Sequence, residues 1–111
     1  MMPSAYKILG QSAPTSTADV AMITVAASRS QVISTIVIAN STATAATCRI
    51  FARIGGAAAS AANAILYDVS IAANSSTTIT AGITLAATDV LTVRSGTANA
   101  LTFTAFGSEI S

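Results

Sequence analysis

Histidine and tryptophan are both absent from this 111-residue chain. Without an imidazole no Ser–His or Cys–His nucleophile pair can form, and the commonest metal ligand is missing. Charge is nearly as scarce, with five Lys or Arg against four Asp or Glu and a formal net charge of +1. The four carboxylates, Asp19, Asp68, Asp89 and Glu109, lie far apart. A glycosidase dyad would need two of them about 5–10 Å apart on facing positions, and nothing in the spacing argues for that. No loop is dense enough in Asp and Asn to suit calcium, and neither phosphate-cradling glycine pattern occurs. The expectation is a protein with no catalytic residues, no cofactor and no metal site, and therefore not an enzyme.

Other absences narrow the class further. The lone cysteine, Cys48, has no partner for an internal disulfide, reads as a small buried hydrophobe, and fits synthesis in a reducing cytoplasm. The longest aliphatic stretch, Val32 to Ala39, already contains Ser34 and Thr35 and falls far short of the roughly 20 residues a spanning helix needs. The opening residues lack a charged segment followed by an apolar one, so no Sec-type signal peptide is expected. Lys7, Arg29, Arg49, Arg53 and Arg94 are dispersed and form no basic stripe. Neither nucleic acid nor a membrane is an expected partner.

What the chain does have is Ala, Ser and Thr, which make up 55 of its residues. A folded chain of this size exposes on the order of 5,600 Å², so nine charges leave roughly one per 600 Å². That is sparse protection against association, and it suits a tile packed inside a larger assembly. Apolar residues recur with period two, and Thr, Val and Ile favour the pleated surface of a strand. The pattern predicts strands at 5–10, 19–26, 31–40, 46–54, 64–71, 76–82, 89–95 and 100–107, separated by turn-forming clusters such as Asn40-Ser41-Thr42 and Asn74-Ser75-Ser76. The expected fold is all-β: a single antiparallel β-sandwich, jelly-roll or Ig-like, of about eight short strands. It forms one domain over 1–111, with residues 1–18 as an N-terminal strand or arm and linker. Ile36, Ile38, Ile50, Ile79, Leu91, Val93, Leu101 and Phe103 fall on the apolar faces.

Within 47–54, Cys48, Ile50, Ala52 and Ile54 are expected on one face, with Thr47, Arg49, Phe51 and Arg53 on the other. Two arginines bracketing an outward phenyl ring read either as a solvated face, with arginine stems sheltering the ring, or as a contact patch. A weak echo links Val25-Ala26-Ala27-Ser28-Arg29-Ser30 with Ile71-Ala72-Ala73-Asn74-Ser75-Ser76, and Leu85-Ala86-Ala87-Thr88-Asp89 is a third variant; it reads as one connection used three times or as a duplicated hairpin. The alanine-rich run 57–62 reads as a surface loop with room for one helical turn.

Longer stretches carry a resemblance. Tyr6-Lys7-Ile8-Leu9-Gly10-Gln11-Ser12-Ala13-Pro14, Ser34 to Asn40, Tyr67-Asp68-Val69, Gly82 to Leu91 and Phe103 to Ile110 together span nearly the whole chain, in order. They resemble small β-sandwich virion structural proteins of tailed bacteriophages, cyanophages among them. The resemblance implies a virion protein made in the host cytoplasm and carries over no catalytic residue. Its implied role is a capsid cement or decoration protein, with a tail, neck or fibre-associated subunit as the alternative. A carbohydrate-binding, adhesin-like module is the rival from another class, although few aromatics are available as sugar platforms. The expected partners are a major capsid protein, or another virion protein, and copies of the chain itself in a homo-oligomer. The contact residues expected are Arg49, Phe51 and Arg53 together with Tyr6 and Lys7.

Overall fold

Side-chain alternation dominates the architecture, as it should in a chain whose apolar residues are mostly β-branched. The computed structural model describes residues 4–110. Nine strands run in chain order: β1 Ser4–Ser12, β2 Val20–Thr24, β3 Ser30–Asn40, β4 Ala46–Arg53, β5 Ala64–Ile71, β6 Ser75–Ile79, β7 Ile83–Leu85, β8 Val90–Ser95 and β9 Leu101–Ile110. They form two antiparallel sheets. One has the order β1-β9-β3-β6, with β7 also on β3, and the other the order β2-β8-β4-β5.

The ninth strand comes from a break in a predicted one. Ile36 faces Ile79 and Ile33 faces Ile83, so residues 80–82 stand opposite only Ser34 and Thr35. Gly82 takes up the excess with a φ of 60°, a left-handed conformation that costs glycine little. Counting β6 and β7 as one interrupted strand gives eight, ordered 1-8-3-6 and 2-7-4-5. That is the double Greek key of a jelly roll, which decides between the two sandwich types the sequence allowed.

The core lies between the sheets. Ile36, Ile38, Ile50, Leu91, Val93, Leu101 and Phe103 are all buried within it, and Ile79 packs against its margin. Asn40 is the chief polar group inside. Its amide donates to the carbonyls of Thr44 (3.0 Å) and Ile71 (3.1 Å), and its oxygen accepts from the Thr42 amide and hydroxyl. Those bonds use its full hydrogen-bonding capacity and tie the β3–β4 connection to the end of β5.

The three echoed connections share one geometry. The fourth residue of each, Ser28, Asn74 and Thr88, has φ of 67°, 52° and 70°. The first residue of each, Val25, Ile71 and Leu85, is buried and anchors the turn to the core. Two of the turns also join directly, because Val25 N–H donates to Asp89 O and Thr88 N–H to Val25 O, each at 3.0 Å. The alanine-rich loop holds two short 3-10 turns, at Ile54–Gly56 and Ala61–Asn63. In the second, Ser60 and Asn63 cap each other.

Two outcomes follow from this packing. Ile50 is fully buried, so Ile50→Ala should lower stability by about 2–5 kcal/mol in denaturant titration. Burial first, and the Asp68 carboxylate second, push the Cys48 thiol up to about 11. It therefore stays protonated at neutral pH, and a thiol reagent should label the native protein only as fast as it unfolds.

Candidate interaction surface

The outer face of the β2-β8-β4-β5 sheet carries the first set of residues singled out from sequence. Arg49, Phe51 and Arg53 do point away from the main core, because their Cα partners on β8 are Arg94, Thr92 and Val90. They do not form an open patch. Phe51 is only 3% exposed, so the reading of an outward aromatic awaiting a partner is corrected: the chain covers the ring itself. Tyr67 meets it edge-on, with ring centroids 6.4 Å apart and planes at 85°.

The two arginines are likewise engaged internally. Arg53 donates through Nε to Ala57 O (2.6 Å), through Nη2 to Gly56 O (3.0 Å) and through Nη1 to the buried Thr92 hydroxyl (3.0 Å). It thereby straps the 54–60 loop beside Phe51. The expected strand face also ends early, since Ile54 lies in the first 3-10 turn and is 81% exposed rather than inward.

Arg49 owes its setting to a bulge that the sequence pattern did not reveal. Cys48 pairs with Val69 and Ile50 with Leu66, so Tyr67 and Asp68 together oppose Arg49 alone. Asp68 sits at a φ of 54°, a conformation that aspartate tolerates better than most residues. Both side chains then reach the arginine. Nε and Nη2 donate to the two Asp68 oxygens at 2.7 and 3.1 Å, and the guanidinium carbon lies 4.0 Å from the Tyr67 ring centroid. The bond from Arg49 holds the Asp68 carboxyl below its ordinary range.

Beside this clamp is a polar hollow of about 330 Å³ whose lining includes Thr17, Thr47, Cys48, Arg49, Asp68 and Arg94. Arg94 stands directly opposite Arg49 and leans on Asp19 at 3.8 Å. Each guanidinium in the hollow thus has its own carboxylate, and the charge there is balanced. Among the described residues no three His, Cys, Asp or Glu side chains come together to hold a metal ion.

The other predicted residues, Tyr6 and Lys7, lie on β1 at the edge of the second sheet. Register places Tyr6 opposite Ser108 and Ile8 opposite Phe106, on one face, while Lys7 and Glu109 lie on the other. Tyr6 is 89% exposed, Ile8 56% and Phe106 37%. With Ser34 they border an apolar hollow of about 420 Å³. Sequence reasoning named Tyr6 but missed Ile8 and Phe106. Their period-two placement was visible, but the absence of a covering sheet was not.

Lys7 serves the inner side of the same strand. Its Nζ and Arg29 Nη1 each lie 3.0 Å from Glu109 Oε1, while Gln31 Nε2 donates to Oε2 at 3.0 Å. Bonds from Lys7 and then Gln31 hold the Glu109 carboxyl below its ordinary range. The four residues link β1, β9 and the start of β3.

No protein-family model matches the chain, and no curated protein matches it. Among solved structures, a chain from infectious bursal disease virus, strain Gx, is similar over 98% of this chain at 11% identity, with a TM-score of 0.46. The present chain spans 31% of that neighbour's length.

Two outcomes separate these surfaces. Phe51→Ala should destabilise the fold by about 3–5 kcal/mol in a denaturant or thermal melt, as for a core aromatic. A solvent-facing contact residue would lose almost nothing. Because the folded-state value of Glu109 is depressed, its contribution is full above the ordinary glutamate range near about 4.3 and is lost as pH falls through the lower folded value. The protection factors of the β1 amides, taken relative to the intrinsic exchange rate at each pH, should therefore fall selectively on acidification, and Glu109→Gln should remove that pH dependence.

Proposed function

We propose that this chain is a non-enzymatic structural subunit of a virus particle of the tailed-phage kind, acting as a capsid cement or decoration protein through protein–protein contacts. The observation that carries the reading is the strip formed by Tyr6 and Ile8 on the edge strand β1 with Phe106 beside them on β9, which stays exposed while Phe51, on the outer face of the other sheet, is covered by the chain itself. Contiguous exposed apolar surface marks a place where another molecule docks. The resemblance of the sequence to small phage virion proteins supports the same reading.

The jelly roll is compatible with this role, since capsid domains use it, but lectin domains do too, and a fold alone does not assign a function. Chemistry has to separate them. A sugar site needs convergent polar groups beside an aromatic platform, whereas the strip around Tyr6 and Phe106 has mainly hydroxyls and the already engaged Lys7 nearby. An open apolar strip beside a shallow hollow fits a protein surface better.

The test is to find the chain in purified virus particles by quantitative mass spectrometry and electron cryo-microscopy. A decoration protein should be near-stoichiometric with the major capsid protein. A far lower copy number would move the assignment to the tail or neck. Absence from particles, combined with reproducible binding on a glycan array, would overturn the structural reading in favour of a lectin-like module.

A further inference from the structure

The outer edge of β1 combines unpaired backbone with exposed apolar side chains, and it bears on who the neighbour is. We propose that a second copy of this chain pairs with it, edge to edge and antiparallel, about a two-fold axis at Tyr6. The proposal rests on the assembly role above and names one contact of that assembly.

The backbone supplies the first argument. Among the described residues β1 pairs only with β9, so alternate residues direct their N–H and C=O groups away from the sheet. Such an edge is a template for another strand unless it is blocked by proline, charge or irregularity. Ser4–Ser12 contains no proline, and its one charge, Lys7, is drawn onto Glu109. The irregularity is a bulge at Leu9, where Ile8 faces Phe106 and Gly10 faces the next residue, Ala105.

That bulge limits the register. A pair centred on Ile8 would bring it next to the axis, and one centred on Lys7 would set two lysines face to face. A two-fold antiparallel pair must place one position opposite itself. A register centred on Tyr6 avoids both. It sets Tyr6 against Tyr6, Ile8 against Ser4, and Lys7 against Ala5.

Side-chain chemistry agrees with this register. Tyr6 and Ile8 lie on one face with Phe106 beside them, so the two strips merge into one apolar surface across the axis. Facing tyrosines, with Cα atoms about 4.5–5.5 Å apart, are among the better cross-strand pairs. On the opposite face Lys7 arrives beside Ala5 of the second copy, whose β9 neighbour is Glu109. With strands spaced about 4.8 Å apart, each lysine then lies between its own Glu109 and that of the second copy. The net charge of +1 per copy offers little repulsion against this approach.

The experiment is analytical ultracentrifugation of the full chain, with circular dichroism and a thermal melt on every variant. Wild type should sediment as a dimer in the micromolar range. Tyr6→Asp and Ile8→Lys should each weaken it by at least about tenfold, with the spectrum and melting temperature retained. Tyr6→Cys should form a disulfide-linked dimer on mild oxidation, because Cα atoms at that separation suit the bond. Ser70→Cys, exposed on the other sheet, should not, and the native Cys48 is buried and need not be replaced. A monomeric wild type, a dimer indifferent to both charge substitutions, or failure of Tyr6→Cys to cross-link would each overturn the proposal. A wild-type monomer that is still found in virus particles would overturn only the β1 pairing. A cross-linking dimer absent from particles would overturn the virion role and leave the pairing standing.

Discussion

The two ladders of β9 are the constraint on which the rest of the structure depends. Leu101–Ile110 runs between β1 on one side and β3 on the other along nearly its whole length, so the last strand of the chain holds the first in place. The ladder closes only because of Gly107. A Cβ there would run into the Val32 carbonyl oxygen and lie 3.0 Å from Ile33 Cα, a clash with backbone that no rotamer relieves. The tight spot coincides with irregularities in neighbouring strands, at Ser34 in β3, Leu9 in β1 and residues 80–82 between β6 and β7. Extra residues in neighbouring strands bend a sheet locally and increase its twist. In this stretch the outer face of the sheet carries Tyr6, Ile8 and Phe106.

Alternation made most of the fold legible before any coordinates. Period-two apolar runs located the strands and placed seven of the eight residues named for the core inside it, with Ile79 at its margin, because one face of each sheet has to be buried and a one-residue slip would expose it. The break between β6 and β7 was invisible in that pattern, since a bulge keeps the local composition and changes only the pairing. The threefold echo was readable, and its cause is now physical: an apolar anchor, two alanines and a left-handed fourth residue make the same turn wherever it is needed. The jelly-roll order itself follows from pairings between distant segments, which a local pattern does not encode.

The candidate surface was half legible for the same reason. Phe51 was placed on the correct side of its strand, yet whether a sheet face is open depends on what crosses it. Here the crossing loop is held by Arg53 bonds to Gly56 and Ala57 carbonyls. Tyr67 reaches Phe51 only through the bulge at Asp68, a backbone feature that no spacing rule announces. Tyr6 was recognisable because a short strand before the Pro14-containing linker can pair with a sheet edge on a neighbour. Ile8 and Phe106, one cross-strand pair away, required the β1–β9 register to be known.

Charge completes the account. All nine charged side chains are used inside the chain: Lys7 and Arg29 on Glu109, Arg49 on Asp68, Arg94 near Asp19, Arg53 on loop carbonyls, and Asp89 on the Gly55 and Ala86 amides. Exposed pairs of this kind contribute only about 0–1 kcal/mol each, so their main effect is not stability. They consume the charge that would otherwise repel neighbours and guard sheet edges. Beside these paired charges the surface is mostly methyl, hydroxyl and backbone with a few exposed apolar side chains, so shape and strand register decide what binds. In most β-proteins a lysine or a proline on the edge strand would block such contact. On β1 the lysine is turned inward to its glutamate, and the sequence that keeps the fold together leaves that edge free to meet another.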